Sequence, residues 1–272
     1  MSAHPEVQTL TINNTLIHTQ HRGEGRPLLL IHGSVCDYRY WRWQMDALAK
    51  GYHVLAPSLR GYWPAPIRDQ DPLFSITQHA DDLAVLLDTL APNEQAVILG
   101  HSRGAQVAIE LAIAQPERVA GLILADPGFR FSDEPETQSL HADTLTLLQQ
   151  GYSEEALSQF VNSVNGQDIW KVMVSWFKTM VLDNAFTLLS QYREMNKAVS
   201  VAALQQIACP VLLVQGINSP SRYKSRIERI SKLLPMAHVE TIPQASHGMN
   251  LANPKAFNEH VLNFQRYLPK RG

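Results

Sequence analysis

Gly100-His101-Ser102-Arg103-Gly104 lies between two segments of different character, and its reading decides the fold. Before it, Gln95-Ala96-Val97-Ile98-Leu99 is short and apolar, follows the turn signal Pro92-Asn93, and predicts a buried strand. After it, Ala105-Gln106-Val107-Ala108-Ile109-Glu110-Leu111-Ala112 is rich in Ala and Leu and predicts a helix. A Gly-x-Ser-x-Gly pentapeptide at a strand-to-helix junction implies a sharp, crowded turn that tolerates only small neighbours of the serine. Gly100 and Gly104 supply that room. Such a turn lifts Ser102 clear of the sheet and aims a helix N-terminus at any negative charge that develops on a bound molecule. The five-residue pattern alone recurs by chance; the flanking strand and helix make it informative.

The same alternation runs outward in both directions. Two period-two segments, residues 7–12 and 15–20, flank Asn13-Asn14 and predict a hairpin. Residues 26–31 form an apolar strand of the kind covered on both faces of a parallel sheet. A helix is predicted over 39–49, a strand over 52–57, a helix over 76–90 and a strand over 119–125. Strands and helices alternating at these lengths predict βαβ crossovers and an α/β fold with a doubly wound, mostly parallel sheet. From about residue 128 to about residue 200 no strand is predicted, and helical segments follow one another over 142–150, 153–164, 169–182 and 184–194. The rhythm resumes with a strand over 210–215, a helix over 221–234, a strand over 239–242 and a closing helix over 254–267. The expected organisation is one core, residues 1–127 and 201–272, interrupted by a helical insertion at 128–200.

Composition narrows the function. The 272 residues, 45% hydrophobic and 18% charged, suffice for one large globular core. Lys and Arg number 23 against 25 Asp and Glu, and the net charge of −2 argues against nucleic acid or an anionic membrane surface as partner. Cys36 and Cys209 are too few for a disulfide scaffold, and no Cys/His spacing resembles a zinc site. The start Met1-Ser2-Ala3-His4-Pro5-Glu6 lacks the charged-then-apolar pattern of a signal peptide, and no apolar run reaches bilayer length. The expectation is a cytoplasmic protein acting on a small molecule; monomer and homodimer are equally compatible with the sequence.

Four separated features carry a resemblance to the α/β-hydrolase superfamily that covers nearly the whole chain. In order they are His32-Gly33 after the 26–31 strand, the Ser102 turn, the helical insertion, and Ala245-Ser246-His247-Gly248 after the 239–242 strand. The resemblance implies an eight-stranded α/β-hydrolase sheet, a nucleophile elbow at Ser102, and a cap (lid) formed by residues 128–200. It also implies a serine esterase-like hydrolase that cleaves a carboxylic ester, thioester or related acyl bond of a small apolar substrate, with no cofactor and no metal.

A serine hydroxyl needs a base within hydrogen-bond reach. Family members carry it in the loop after the last strand, which points to His247 among the 11 histidines. The acid departs from the common pattern. It usually follows the preceding strand in a Gly-x-x-Asp context, but here the run is Gly216-Ile217-Asn218-Ser219-Pro220, and neither Asn218 nor Ser219 stabilises an imidazolium as a carboxylate does. Some relatives supply the acid one strand earlier, where Asp126 follows Ala125; the alternative for Asp126 is a turn cap before Pro127-Gly128. Glu240 and Glu228 are fallbacks at solvated positions. The resemblance also implies oxyanion donors from the backbone N–H of Arg103 and of Ser34, with Val35 next in line; one such donor is typically worth about 3–4 kcal/mol of barrier.

The surrounding residues read less sharply. His101 points away from the nucleophile in such elbows and is expected to line or brace the pocket. Asp37 is a candidate helix cap, and Trp41 and Trp43 are expected to bury against the sheet. Tyr62 and Trp63 are expected to narrow the mouth of the site. Trp170 recurs at helical spacing with Met173, Trp176, Phe177 and Met180, as insertion core or ligand wall. Val35, Trp63, His101 and Trp170 complete the expected pocket. Two other readings stand. Cofactor-free heteroaromatic ring-cleaving dioxygenases share the fold and a His/Asp pair whose acid follows the same strand, but carry a second histidine where Arg103 stands. A non-catalytic small-ligand binder would fit the uncharged Gly216–Pro220 turn, though not the retention of Ser102, His247 and a spare carboxylate.

Overall fold

An uninterrupted apolar strand must be covered on both faces, and the strands with that pattern form the centre of the sheet. The computed structural model describes residues 6–66, 73–136, 142–194 and 197–270. Its strands are β1 (Glu6–Ile12), β2 (Thr15–Arg22), β3 (Pro27–Ile31), β4 (His53–Pro57), β5 (Ala96–His101), β6 (Val119–Ala125), β7 (Arg130–Phe131), β8 (Ala198–Val199), β9 (Val211–Gly216) and β10 (His238–Ile242). Eight form one sheet in the order β1-β2-β4-β3-β5-β6-β9-β10, antiparallel only at β1–β2 and β2–β4. The helices are α1 (Met45–Leu48), α2 (Ile76–Leu90), α3 (Arg103–Ala114), α4 (Ala142–Gln149), α5 (Ser153–Asn165), α6 (Ile169–Val172), α7 (Ser175–Asp183), α8 (Thr187–Arg193), α9 (Val201–Leu204), α10 (Ser221–Leu233), α11 (Met249–Ala252) and α12 (Pro254–Asn263).

Strand periodicity divides the core in two. Leu29, Ile31 and Ile98 face α2 and α3 in one apolar cluster, whereas Leu28, Leu30, Val97 and Leu99 face α12 and the Tyr40–Leu48 segment in another. A third cluster belongs to the insertion: Leu148, Leu157, Val161, Trp170, Val181 and Leu188 pack together, with Val35 of the core inserted among them.

Registers carry the strand ends into one row. His101 is level with Ala125, Ala125 with Val214, and Gly216 with Ile242. The residues that leave the carboxyl ends of β5, β6, β9 and β10 therefore emerge side by side, as open α/β sheets present their sites.

Four details depart from the sequence reading. Residues 39–49 are not one helix but a 3₁₀ turn (Tyr38–Trp41) followed by α1; the Asp37 carboxylate accepts the Arg39 N–H at 2.9 Å and tightens that first turn. Trp41 is buried, yet Trp43 is 49% exposed, with Arg42 over its ring. The 128–200 segment contains strands as well as helices, because β7 and β8 pair in parallel at its neck. Strands of two residues are too short to show alternation. The helix expected over 169–182 breaks at Met173 and Val174, which are extended, and this lets Trp170 and Val181 enter the same apolar cluster.

Candidate active site

Ser102 joins β5 to α3 with φ 55° and ψ −121°, a conformation that ordinarily costs of order 1–3 kcal/mol. Its surroundings over-determine it. Its N–H donates to the Ala125 carbonyl at 3.0 Å, and its carbonyl accepts from Ala105 N (3.0 Å) and Gly128 N (3.1 Å). A Cβ at Gly100 would stand 2.6 Å from the Ala105 Cα, and one at Gly104 would overlap the His32 carbonyl oxygen, so both glycines are sterically required. Gly128 keeps open the space beside the serine: a Cβ there would lie 3.4 Å from Ser102 Oγ and 3.7 Å from Arg103 N.

Asp126 leaves β6 at φ 39°, fully buried, with its N–H bonded to the Val214 carbonyl at 2.9 Å. Its Oδ2 stands 3.2 Å from His247 Nδ1 and accepts the Ser219 hydroxyl at 2.5 Å. Ser219 Oγ in turn accepts the Gly216 N–H at 3.1 Å. The serine at the usual acid position thus acts as a donor that holds a carboxylate from the neighbouring strand. Burial pushes the Asp126 carboxyl up to about 6, with the Ser219 hydroxyl and the charge of Lys224 pulling part of the way back. Burial, reinforced by the positive Arg222, lowers His247 to about 3. At neutral pH the pair is a carboxylate and a neutral imidazole, and because a carboxylate only accepts, Nδ1 carries the proton.

The His247 imidazole is closely packed. Tyr223, from the first turn of α10, stacks on it with ring centroids 4.0 Å apart and planes 13° apart. The Tyr223 hydroxyl faces the Ser102 side chain, which offsets a little of the rise that burial gives the Tyr223 pKa. His101 lies 4.6 Å from His247, and its Nε2–H donates to the His247 carbonyl at 2.8 Å. Burial beside His247 lowers His101 to about 3, so it braces the His247 loop as a neutral ring.

In the loop after β3, Val35 adopts φ 52°, rare for a β-branched residue, and plugs into the insertion's apolar cluster. Ser34 Oγ donates to Gln191 of α8 at 2.7 Å, and Gln191 donates to the Tyr62 hydroxyl at 3.1 Å. The Arg103 guanidinium is drawn under the site, 3.1 Å from Glu194, whose carboxylate also accepts the Ile76 N–H at 2.8 Å.

Two cavities meet at Ser102. The larger, about 300 Å³, is walled by Gly128, Leu145, Phe160 and Leu188, with Gln106 and Arg222 among its polar lining. The smaller, about 60 Å³, is walled by Val35, Cys36, Val161, Phe177, Val181 and His247. Ser34 and Ser102 line both. Of the expected pocket residues, Val35 and His101 line the smaller cavity. Trp63 and Trp170 line neither. Trp63 stacks under Arg39 at 3.7 Å, and Trp170 is buried in the insertion. The sequence gives Tyr223, Gly128 and Gln191 no place in the site; the one available signal is Ser219, a hydroxyl standing where the common pattern has a carboxylate. Glu228 and Glu240 pair with Lys232 and His260, away from the site. Among the described residues no group of three His, Cys, Asp or Glu side chains is arranged to hold a metal ion, and no helix is long and apolar enough to cross a membrane.

Comparison with known proteins agrees with this architecture. The chain is 27% identical over 252 residues to a pimeloyl-[acyl-carrier protein] methyl ester esterase of Nitrosomonas europaea, covering 89% of this chain and 96% of that one. Over 124 residues (44% of this chain and 42% of the other) it is 38% identical to a 2-hydroxymuconate semialdehyde hydrolase of a Pseudomonas species. Among solved structures, a thermophilic esterase from Thermogutta terrifontis superposes with a TM-score of 0.82 at 22% identity, over 96% of this chain and 98% of that one. An enol-lactonase from Burkholderia xenovorans reaches 0.82 at 19% identity, over 95% of this chain and 100% of its own. Residues 28–260 match the alpha/beta hydrolase family as a whole. The chain belongs to that family and is a hydrolase enzyme.

Proposed function

We propose that the protein is a serine hydrolase that cleaves a carboxylic ester, thioester or related acyl bond of a small apolar substrate. In this reading Ser102 is the nucleophile, His247 the base and Asp126 the acid that orients it. Residues 128–200 are the cap, whose α5 and α8 supply Phe160 and Leu188 to the cavity over the serine. The observation that carries the reading is the 3.2 Å contact between Asp126 Oδ2 and His247 Nδ1 beside a serine in a constrained elbow. The esterase names of the Nitrosomonas relative and the Thermogutta structure agree with ester chemistry.

Acyl transfer proceeds in two stages. Ser102 Oγ turns toward His247 Nε2 and attacks the carbonyl carbon while Nε2 takes its proton. The Asp126 carboxylate stabilises the resulting imidazolium through Nδ1–H. The N–H groups of Ser34 and Arg103 hold the oxyanion. As the intermediate collapses, the bond to the leaving group breaks and Nε2–H protonates the departing oxygen or sulfur. Water then enters and adds to the acyl-serine carbonyl as His247 Nε2 takes its proton; the intermediate collapses, the bond to Ser102 Oγ breaks, Nε2–H returns the proton to that oxygen, and the acid leaves.

Intact-mass measurement after treatment with a fluorophosphonate, on wild type and Ser102→Ala side by side, tests this. One adduct on wild type and none on the variant is expected. Absence of an adduct on wild type overturns the assignment of Ser102.

A further inference from the structure

Resting on the serine-hydrolase reading, we propose that the small cavity receives the leaving alcohol and the large cavity the acyl group. The protein is then an esterase for short-alcohol esters (methyl to propyl) of larger acids. The two spaces are unequal, about 60 and about 300 Å³, and they share Ser34, Ser102, Phe160 and Val164. A carbonyl carbon at Ser102 Oγ therefore has one substituent in each.

Proton transfer decides which goes where. The leaving oxygen must accept the proton held by His247 Nε2 and so must lie against that ring. His247, Gly248 and His101 line the small cavity, and none of them lines the large one. A leaving group in the large cavity would depart from the side away from the acid.

Volume then sets the class. A single water needs up to about 15 Å³, and a methylene is no smaller than a water, so the small cavity of about 60 Å³ takes a group of about four heavy atoms, the alkoxy oxygen included. Its walls are rooted in packed cores. Val161 and Val181 belong to the insertion cluster, Cys36 to the core cluster behind the sheet, and all three are at most 6% exposed. Such walls widen only by repacking. An aryl alcohol or a carrier thiol exceeds this space, which narrows the acyl bonds considered above to esters of short alcohols. The large cavity, lined by Phe129, Leu145, Phe160 and Leu188, accepts an acyl chain several carbons long.

The test uses octanoate esters of methanol, ethanol, propanol, butanol and benzyl alcohol, together with ethyl esters from acetate to octanoate. Acid release is followed by pH-stat, and fluorophosphonate labelling is run on the same protein. We expect kcat/KM for the methyl-to-propyl esters to exceed those for the butyl and benzyl esters by about tenfold or more, as size exclusion by a packed pocket does. Ethyl octanoate should outrun ethyl acetate. Val161→Ala should raise the butyl-to-ethyl ratio several-fold and leave the acyl-length profile unchanged. Butyl or benzyl esters turned over as fast as ethyl esters, on a protein that labels and releases acid, overturn the cavity assignment alone. A Val161→Ala variant that shifts acyl length instead of alcohol size does the same. No adduct and no acid release from any ester overturns the hydrolase reading, and this assignment falls with it.

Discussion

Asp37 and Asp126 are both fully buried aspartates, yet their surroundings differ in kind. Asp37 lies at the junction of core and insertion, facing a cation. Arg39 Nε and Nη2 donate to it at 2.9 and 2.6 Å, and Asn184 of the insertion adds a bond at 2.7 Å. Arg39 also reaches Asp183 at 2.9 Å, and Asn184 accepts the Trp63 N–H at 2.7 Å, so the cluster ties the two regions together. Asp126 touches no cation. Its carboxylate meets a hydroxyl and a neutral imidazole, and burial raises its pKa to about 6. A buried carboxylate met by a cation holds structure together; one left with neutral donors keeps a proton-transfer partner poised near neutrality. In the proposed mechanism the contrast is between a joint and a reactive site.

Opposite substitutions break the comparison most clearly. Asp126→Asn should lower kcat/KM by about 10³–10⁴-fold, the scale seen when a triad aspartate elsewhere becomes an amide, with the melting temperature unchanged or raised. Asp37→Ala should do the reverse. Losing the partner of Arg39 and Asn184 should cost about 2–4 kcal/mol by denaturant unfolding, with kcat/KM of the folded protein within about tenfold of wild type. Equal losses of activity in the two variants would erase the distinction.

A pH profile sharpens it further. With the Asp126–His247 pair titrating near 6, kcat/KM should fall as pH drops through about 6. The contribution of Asp126 to stability has the other sign. Its folded pKa exceeds the ordinary 3.8, so that contribution is fully present below about 4 and is lost as pH rises through about 6. Activity and this part of the stability therefore move in opposite directions over one pH window, which rate profiles and thermal melts on the same buffers check. Ser219→Ala removes a donor to the carboxylate, so the acid limb should move to higher pH and kcat/KM fall by about tenfold. The smallest effect belongs to Tyr223→Phe, which keeps the stack on His247 and removes the hydroxyl that faces Ser102; a change of a few-fold in kcat is expected.

Some of this site was legible in the sequence and some was not. Gly100 and Gly104 announce the Ser102 turn because any Cβ there strikes backbone within a few residues or on the adjoining strand. His247 and Asp126 follow from the resemblance to α/β hydrolases, whose motifs they match in order along the chain, and the structure brings them to 3.2 Å. The hydroxyl of Ser219 looked like a missing charge. Only its contact with Asp126, 93 positions away in the chain, makes it a support. Tyr223 reads as an ordinary residue in the first turn of a helix, and Trp63 and Trp170 as plausible pocket walls, because nothing local says which way an aromatic ring will face.

The sequence by itself determined the strand–helix alternation, the helix-rich stretch between β6 and β9, and the serine at its strained turn. Those features rest on periodicity and on steric limits set by near neighbours, which act whatever the rest of the chain does. Tertiary structure alone decided which carboxylate meets a cation and which meets an imidazole, and how the space around Ser102 divides into a small and a large cavity. Both depend on side chains brought together from β5, β6, α5, α7, α10 and the loops after β3, β9 and β10. Burial, electrostatic compensation and cavity volume belong to that assembly and to no single segment of it.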